Sequence, residues 1–389
     1  MAGSCTTTRT IINDIPLRNN LRGSSTAATM YRNCVAWAED DNGVVQSYAI
    51  HIPRISPTKG MLVEEARKNE LIWTNVLDQV AWSHQGIGNG TDPTITADQA
   101  IAPDGTMTAD KIDFGPCGTG DSNSILFRST APAGLFVESV YLRTVTGTGS
   151  VWLGHSPDGV AAWQSVECAC DTTWRRFTLP VSSVSGSRYF ILGQDGRDAA
   201  QPATFPAVSV YAWNAQSEVG SFTTSPITAS AAQVTRAADI ATCSTTGWPT
   251  KEGSITFDFT PGWSSGGALA STYYILDSRT TERGILFYIG NTATGDIRLR
   301  TGNTDGYTDT SAGAMTWTAG TTYRIEARWG KGNTFLWRTV AGVRTLLVSN
   351  VTGAARMPDG YTAAATLVQA NTGTLQSNGS ISNLRVGRN

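Results

Sequence analysis

In the stretch Gly253-Ser254-Ile255-Thr256-Phe257-Asp258-Phe259-Thr260, every second residue is apolar. Side chains alternate across a strand with a period of two, so Ile255, Phe257 and Phe259 point one way, and Thr256, Asp258 and Thr260 the other. That is an antiparallel strand with one dry face and one wet face. Further along the chain, the same alternation separates Tyr323, Ile325, Ala327 and Trp329 from Arg324, Glu326 and Arg328. It also separates Ile297 and Leu299 from Asp296, Arg298 and Arg300. Gly330-Lys331-Gly332-Asn333 and Pro358-Asp359-Gly360 offer hairpin turns, and Ile381-Ser382-Asn383-Leu384-Arg385-Val386 offers a closing strand. The pattern predicts an antiparallel β-sandwich in the last part of the chain.

Upstream, strand-like runs recur at Leu135–Arg143, Ser150–His155, Ala161–Cys168, Trp174–Leu179, Arg188–Leu192 and Ala207–Trp213, divided by clusters of Gly, Ser, Pro and Asp. That spacing predicts a second sandwich or jelly roll. A length of 389 residues exceeds one comfortable core, so two domains are the natural partition. Composition agrees: only 15% of residues are charged, against about 25% ordinarily, while Gly, Thr, Ser, Val and aromatic residues dominate. The fold class expected is all-β, two tandem antiparallel β-sandwich (jelly-roll-like) domains behind an extended N-terminal arm.

Residues 1–30 are polar apart from Ile11, Ile12, Ile15 and Leu17, too little to fold alone, and are expected to anchor on a partner. The turn signal Asp41-Asn42-Gly43, followed by an extended run to Arg54, predicts a short hairpin leading to a linker broken by Pro53 and Pro57.

Charge and motif exclude several functions. The net charge of −2, with scattered Lys and Arg, gives no footprint for a nucleic-acid backbone. The start Met1-Ala2-Gly3-Ser4-Cys5 lacks the apolar core of a secretory signal, and no run of about 18 apolar residues is present, so membrane insertion is not expected. Cys5, Cys34, Cys117, Cys168, Cys170 and Cys243 match neither a disulfide framework nor a zinc pattern, and reduced thiols are expected; Cys168 and Cys170 read as small buried residues. His51, His84 and His155 accompany no nucleophile elbow and no His-Glu-x-x-His helix, and no carboxylate pair carries a glycosidase motif. No enzyme is expected.

At Met61-Leu62-Val63-Glu64-Glu65-Ala66-Arg67-Lys68-Asn69 the chain resembles a connector that recurs in virion proteins of tailed bacteriophages: fibres, head spikes and capsid decorations. Ala102-Pro103-Asp104-Gly105-Thr106-Met107-Thr108-Ala109-Asp110-Lys111, Trp174-Arg175-Arg176-Phe177 and the run Tyr211–Phe222 resemble strands of a carbohydrate-binding-module-like jelly roll in those proteins. Val234-Thr235-Arg236-Ala237-Ala238-Asp239 resembles its exit, and residues 250–389 resemble a concanavalin A-like, or laminin-G-like, sandwich. The resemblance implies a partition into an anchoring arm and linker (1–60), a jelly roll (61–234) and a concanavalin A-like sandwich (235–389). It further implies a non-enzymatic virion structural protein, made in the host cytoplasm and displayed on the particle, that contacts host surface glycans. Its partners would be capsid or tail components and further copies of itself, a trimer being one form. The alternative is a glycan-binding adhesion module of a secreted or cell-surface protein.

Planar rings stack on pyranose faces while amides and carboxylates bond hydroxyls, which makes Tyr141, Trp152, Trp163, Trp263 and Tyr307 the candidate glycan contacts. Tyr273 and Tyr274, which like the last two lie in or near loops, carry the same reading. Glu64, Glu65 and Arg67 are candidates for a charged clasp at the connector, since a guanidinium holds carboxylates and carbonyls together. No metal centre is expected. A structural Ca²⁺ remains open through the loop carboxylates Asp92, Asp104, Asp110 and Asp121.

Overall fold

A computed structural model describes residues 11–12, 28–131, 134–157, 159, 164–183, 186–265, 272–290, 295–369 and 376–387. Every regular element among them is a strand, and the named strand pairs are antiparallel. The all-β reading therefore holds. By contact the chain divides into two units. One comprises Met1–Val35, Tyr48–Ala66 and Ala237–Asn389; the other comprises Ala36–Ser47 and Arg67–Arg236.

The second of these is a jelly roll of two five-stranded sheets. One runs in the order Arg175–Ser183, Gly134–Thr144, Val208–Val219, Met107–Phe114, Thr94–Ile101. The other runs Gln164–Cys170, Gly149–Ser156, Gly186–Asp195, Ser122–Ala131, Ser83–Ile87. Five of the six expected strands reappear longer than expected, two of them starting one residue later, at Arg175 and Val208. The sixth is Gln164–Cys170, and Ala161, Ala162 and Trp163 at the start of its expected run lie outside the described residues. Ile112, Phe114, Phe136, Val140, Leu142, Val151, Leu153 and Leu192 fill the space between the sheets, and Cys168 and Cys170 join that core. Each such side chain contributes about 1.5–3 kcal/mol by leaving water.

The turn at Asp41-Asn42-Gly43 forms as expected. Asp40 Oδ1 accepts the N–H groups of Asn42 (2.8 Å) and Val44 (3.0 Å), and Gly43 takes a positive φ of 78°. The resulting hairpin, Ala36–Glu39 with Val45–Tyr48, is not a free linker. Val45 N–H bonds Pro103 O at 2.9 Å, and Val45 packs with Tyr141 and Trp213 on the outer side of the first five-stranded sheet.

The other unit is a sandwich whose sheets contain eight and seven strands. The seven-stranded sheet runs Val343–Asn350, Asn333–Val340, Tyr323–Gly330, Gly253–Pro261, Gly379–Gly387, Gly60–Val63, Arg54–Ser56. The eight-stranded sheet runs Ile11–Ile12, Ala28–Tyr31, Ile240–Ser244, Ala364–Leu367, Tyr273–Asp277, Gly284–Ile289, Ile297–Asn303, Gly306–Ser311. Phe257 of one sheet meets Phe287 of the other edge-to-face at 5.1 Å, so the alternation at 253–260 places its apolar set in the core. Lys331 and Gly332 both take positive φ, and Gly330 pairs with Asn333, which closes the expected two-residue hairpin. Pro358-Asp359-Gly360 is a correction: it joins no two adjacent strands, and Asp359 instead holds Arg283 at 2.8 Å.

Residues before 61 also differ from an extended arm. Ala28–Tyr31 pairs with Ile240–Ser244, and Gly60–Val63 pairs with Gly379–Gly387. Backbone donors and acceptors must be paired where they are buried, and these short segments complete both sheets of the sandwich. Gly60 makes the second entry feasible: its φ is +92°, and a Cβ there would lie 2.4 Å from Ile381 O. Residues 1–10 and 13–27, where most of the expected arm falls, lie outside the described residues.

These segments are held by one buried ion cluster within the same unit. Asp239 accepts Arg32 Nη1 at 3.0 Å and Glu64 N–H at 2.8 Å, and it also bonds Arg54 Nη2. Arg54 Nη1 bonds Glu64 at 2.5 Å. Arg32 further donates to the carbonyls of Cys34, Tyr48, Ala49 and Ile52. Two guanidinium groups and two carboxylates neutralise one another out of water, which is the condition for burying any of them.

Candidate binding face around Tyr307

The strands Gly284–Ile289, Ile297–Asn303 and Gly306–Ser311 send alternate residues to the core and to the outer side of the eight-stranded sheet. Register places Tyr288 opposite Arg298, Arg300 opposite Asp309, and Gly302 opposite Tyr307. Ile285, Phe287, Ile289, Ile297 and Leu299 are fully buried on the core side. The outer set is therefore Tyr288, Arg298, Arg300, Tyr307 and Asp309. A two-residue turn, Thr304-Asp305, closes the last hairpin, with Gly306 at φ +125°.

These side chains form a connected lattice. Asp309 takes Arg300 through Nε (2.8 Å) and Nη2 (2.7 Å), a fork that fixes both planes. Tyr288 OH donates to Asp309 at 3.0 Å. The Arg300 guanidinium also lies 3.6 Å from the centre of the Tyr307 ring, which is 45% exposed. Two residues back along the same strand the motif repeats: Arg298 bonds Asp296 at 2.6 Å, with its guanidinium 5.8 Å from Tyr288. It repeats again where Arg279 forks onto Asp277 (2.9 and 3.0 Å) beside Tyr274, whose ring lies 5.9 Å from that of Tyr288.

Electrostatically the face is balanced. Hydrogen bonding to Asp309 and to Asp296 drives Arg300 and Arg298 above the ordinary guanidinium range. Burial, then the Asp309 charge, raises the Tyr288 phenol, so it stays a donor at neutral pH. Asp309 accepts three of about four bonds its oxygens can take. A ligand hydroxyl would thus find one free acceptor site, guanidinium edges and an open phenol ring, all already held in place.

The expected glycan aromatics do not converge. Tyr307 lies in this lattice. Trp263 is 3% exposed inside the same sandwich, donating to Ser377 O at 2.5 Å and packed against Tyr273 and Trp317. In the jelly-roll unit, Trp152 is buried edge-to-face on Phe205. Tyr141 is 2% exposed, with its hydroxyl on Glu39 at 2.5 Å. Trp163 lies outside the described residues. The three clasp residues fall into different surroundings: Glu64 is in the ion cluster, and Glu65 donates its N–H to Asn378 Oδ1 at 2.7 Å. Arg67, in the other unit, lies 5.0 Å from the Phe222 ring.

Each carboxylate weighed for Ca²⁺ already accepts protein donors, from its own turn or from a neighbouring segment. Asp92 takes Gly86 N–H, Asp104 takes Thr106, Asp110 takes Leu77 and Asp98, and Asp121 takes Asn89 and Gly118. Among the described residues no three His, Cys, Asp or Glu side chains are grouped to hold a metal.

Arg298 and Arg300 were visible in the sequence as the wet half of an alternation. Asp309 and Tyr288 were not singled out, although Tyr307-Thr308-Asp309 alternates in the same way across the turn. Their common signal was periodicity across two neighbouring hairpin strands.

No protein-family model and no curated protein matches the chain. Among solved structures it is similar to domains LG4-5 of the mouse laminin α1 chain, at 12% identity over 87% of this chain and 93% of that one, with a TM-score of 0.24. It is also similar to the N-terminal CBM22-1–CBM22-2 tandem of Paenibacillus barcinonensis Xyn10C, at 10% identity over 86% and 100%, with a TM-score of 0.27. A third is the extracellular region of zebrafish Gpr126/Adgrg6, at 11% identity over 76% and 35%, with a TM-score of 0.22. No residue role transfers at these scores.

Proposed function

We propose that this chain is a non-enzymatic structural and adhesion protein, and that the Tyr307 face of its C-terminal sandwich holds neutral glycans. The observation that carries the reading is the Tyr307–Arg300–Asp309 unit, an exposed ring backed by a carboxylate–guanidinium fork on an open sheet face. Sugars present both donors and acceptors, so a face that mixes fixed carboxylates with guanidinium groups suits them better than one of a single sign. Because the groups are already ordered, binding costs little side-chain entropy. The surface is shallow, so one site is expected to bind weakly, at a Kd of about 1 mM, with copies adding avidity.

The virion setting rests on the connector resemblance at residues 61–69. As a particle protein, it would be anchored to a capsid or tail component and exposed to the host surface.

A glycan array probed with the wild-type chain and with Tyr307→Ala tests the binding part. Signal on neutral glycans that is lost in Y307A supports the reading, and uniform silence of the wild type removes it. Mass spectrometry of purified phage particles tests the setting separately, since absence of the chain from them ends the virion reading whatever the array shows.

A further inference from the structure

Most guanidinium groups in the described structure sit on a carboxylate. Arg143 and Arg176, on the outer side of the first jelly-roll sheet, meet none among the described residues. Arg143 lies between the rings of Trp174 (5.2 Å) and Tyr211 (4.7 Å). Its one polar contact is a long one, Nη1 to Thr172 O at 3.5 Å, and its Nε is buried without an acceptor. Arg176 donates to Thr224 O (2.6 Å) and Ser139 Oγ (3.0 Å), and its Nε likewise has no acceptor. The two belong to one face: Tyr141 pairs in register with Arg176, and Arg143, two residues beyond Tyr141, pairs with Tyr211. Two uncompensated positive charges and two unsatisfied donors thus surround one patch of half-buried rings.

The same patch already accepts a carboxylate. Glu39, from the hairpin packed on this sheet, bonds the Tyr141 hydroxyl, and the Tyr141 ring lies 5.4 Å from the Arg176 guanidinium. A single glutamate does not neutralise two guanidinium groups. The charged neighbours of the patch cancel in pairs, Lys111 with Asp113 at 2.9 Å and Arg175 with Asp171 at 2.5 Å.

We propose that this face of the jelly-roll unit is an anion subsite, taking the carboxylate groups of an acidic, uronate-type polysaccharide. A guanidinium held against two rings keeps its fork ordered and offers two parallel N–H bonds to a planar carboxylate. Trp174 and Tyr211 supply apolar surface for the sugar rings on either side. A nucleic acid fits less well. Phosphate backbones are held by many cations along a track, whereas this face has two, in a chain of net charge −2. The inference is independent of the Tyr307 face, which lies in the other unit and balances its charges.

Affinity electrophoresis of the full chain through gels containing polygalacturonate tests it, with dextran, dextran sulfate and oligo-dT as comparators. Polygalacturonate is expected to retard the wild type and dextran to leave it unmoved, with retardation fading between about 50 and 500 mM salt. Arg143→Gln and Arg176→Gln should each weaken binding about tenfold or more. Glu39→Gln should strengthen it, and Arg175→Gln, which removes an exposed neighbour paired to Asp171, should leave it unchanged. Y307A should bind polygalacturonate as the wild type does. If R143Q unfolds, Arg143→Lys decides: it keeps the charge and loses the fork, so several-fold weaker binding is expected, and wild-type binding by R143K overturns the proposal. So does a wild type that ignores polygalacturonate, equal loss in R175Q and R143Q, oligo-dT bound as tightly as polygalacturonate, or dextran sulfate bound equally well by wild type and R143Q.

Discussion

Replacing Asp239 by Asn should unseat the N-terminal segments from the C-terminal sandwich. The carboxylate is wholly buried and serves both Arg32 and Arg54, while its Oδ2 also accepts Glu64 N–H. In the wild type the cluster sums to zero charge. Asn keeps the shape but leaves two guanidinium groups against one carboxylate, a net buried charge of about +1, and its amide N–H₂ would face a donor. Breaking a buried pair on one side costs about 3–5 kcal/mol. At about 2–4 °C per kcal/mol for a unit of this size, the melting temperature should fall by roughly 6–20 °C. Arg32→Met should cost at least as much, because four carbonyls lose their donor along with Asp239. Arg324→Gln is the internal control: it removes a half-exposed guanidinium from Asp258, which keeps Asn383 as a donor, and should cost about 1 kcal/mol. Urea denaturation measures the cost, and amide exchange on the strand Ile240–Ser244 locates it. A D239N loss below about 1 kcal/mol, indistinguishable from R324Q, would refute the idea that this cluster ties residues 28–35 and 48–66 to the sandwich.

Other expectations follow from single features. Gly60→Ala meets the backbone of Ile381 and a positive φ at once, so it should destabilise the sandwich by about 1–3 kcal/mol and speed exchange in Gly379–Gly387. Burial pushes the Asp110 carboxyl up to about 6 from its ordinary 3.8, so the folded chain holds a proton there that the unfolded chain has released. This group's share of stability therefore rises as the pH falls through 6 toward 4, and Asp110→Asn should flatten that part of a stability–pH curve. Burial, reinforced in Cys170 by the neighbouring Asp171 charge, lifts the Cys170 and Cys243 thiols to about 12; iodoacetamide should spare both in the native chain and label them in urea, and rapid native labelling would contradict their placement.

The strands most legible in the sequence were those with a one-sided environment. Phe257 and Phe259 face a core while Asp258 lies on the opposite face under Arg324 and Asn383, so the local pattern carries the answer. Ala28–Tyr31 has no such pattern to show. It is four residues long, and its partner lies more than two hundred residues away at Ile240–Ser244. Pairing at that separation is a property of the whole sheet and leaves no periodic trace in either segment. Arg32 and Arg54 read alone as solvated charges; only the fold brings Asp239 to them. Tryptophan was ambiguous for the opposite reason, since Trp263 stands beside turn-like residues and Trp152 within a strand, yet both are buried.

The two outer sheet faces show why residue type alone did not separate a binding surface from a structural one. Both use Arg beside Tyr, at ring distances of 3.6 to 5.8 Å around Tyr307 and Tyr288 and 4.7 to 5.4 Å around Arg143 and Arg176. What differs is the third partner. On the Tyr307 face Asp309 and Asp296 cancel the charge, leaving dipoles and an open ring that favour a neutral, hydroxyl-rich ligand. On the jelly-roll face that partner is missing, so a ligand carrying its own carboxylate gains what Asp309 supplies internally elsewhere. The contrast sets a joint expectation: adding an acid beside Arg143, as in Thr172→Asp, whose carbonyl Arg143 already meets, should move that face toward the balanced type. Polygalacturonate binding should then fall while Tyr307-dependent array signals stay unchanged. If the two readouts fell together, the faces would not be independent sites and the charge argument separating them would fail.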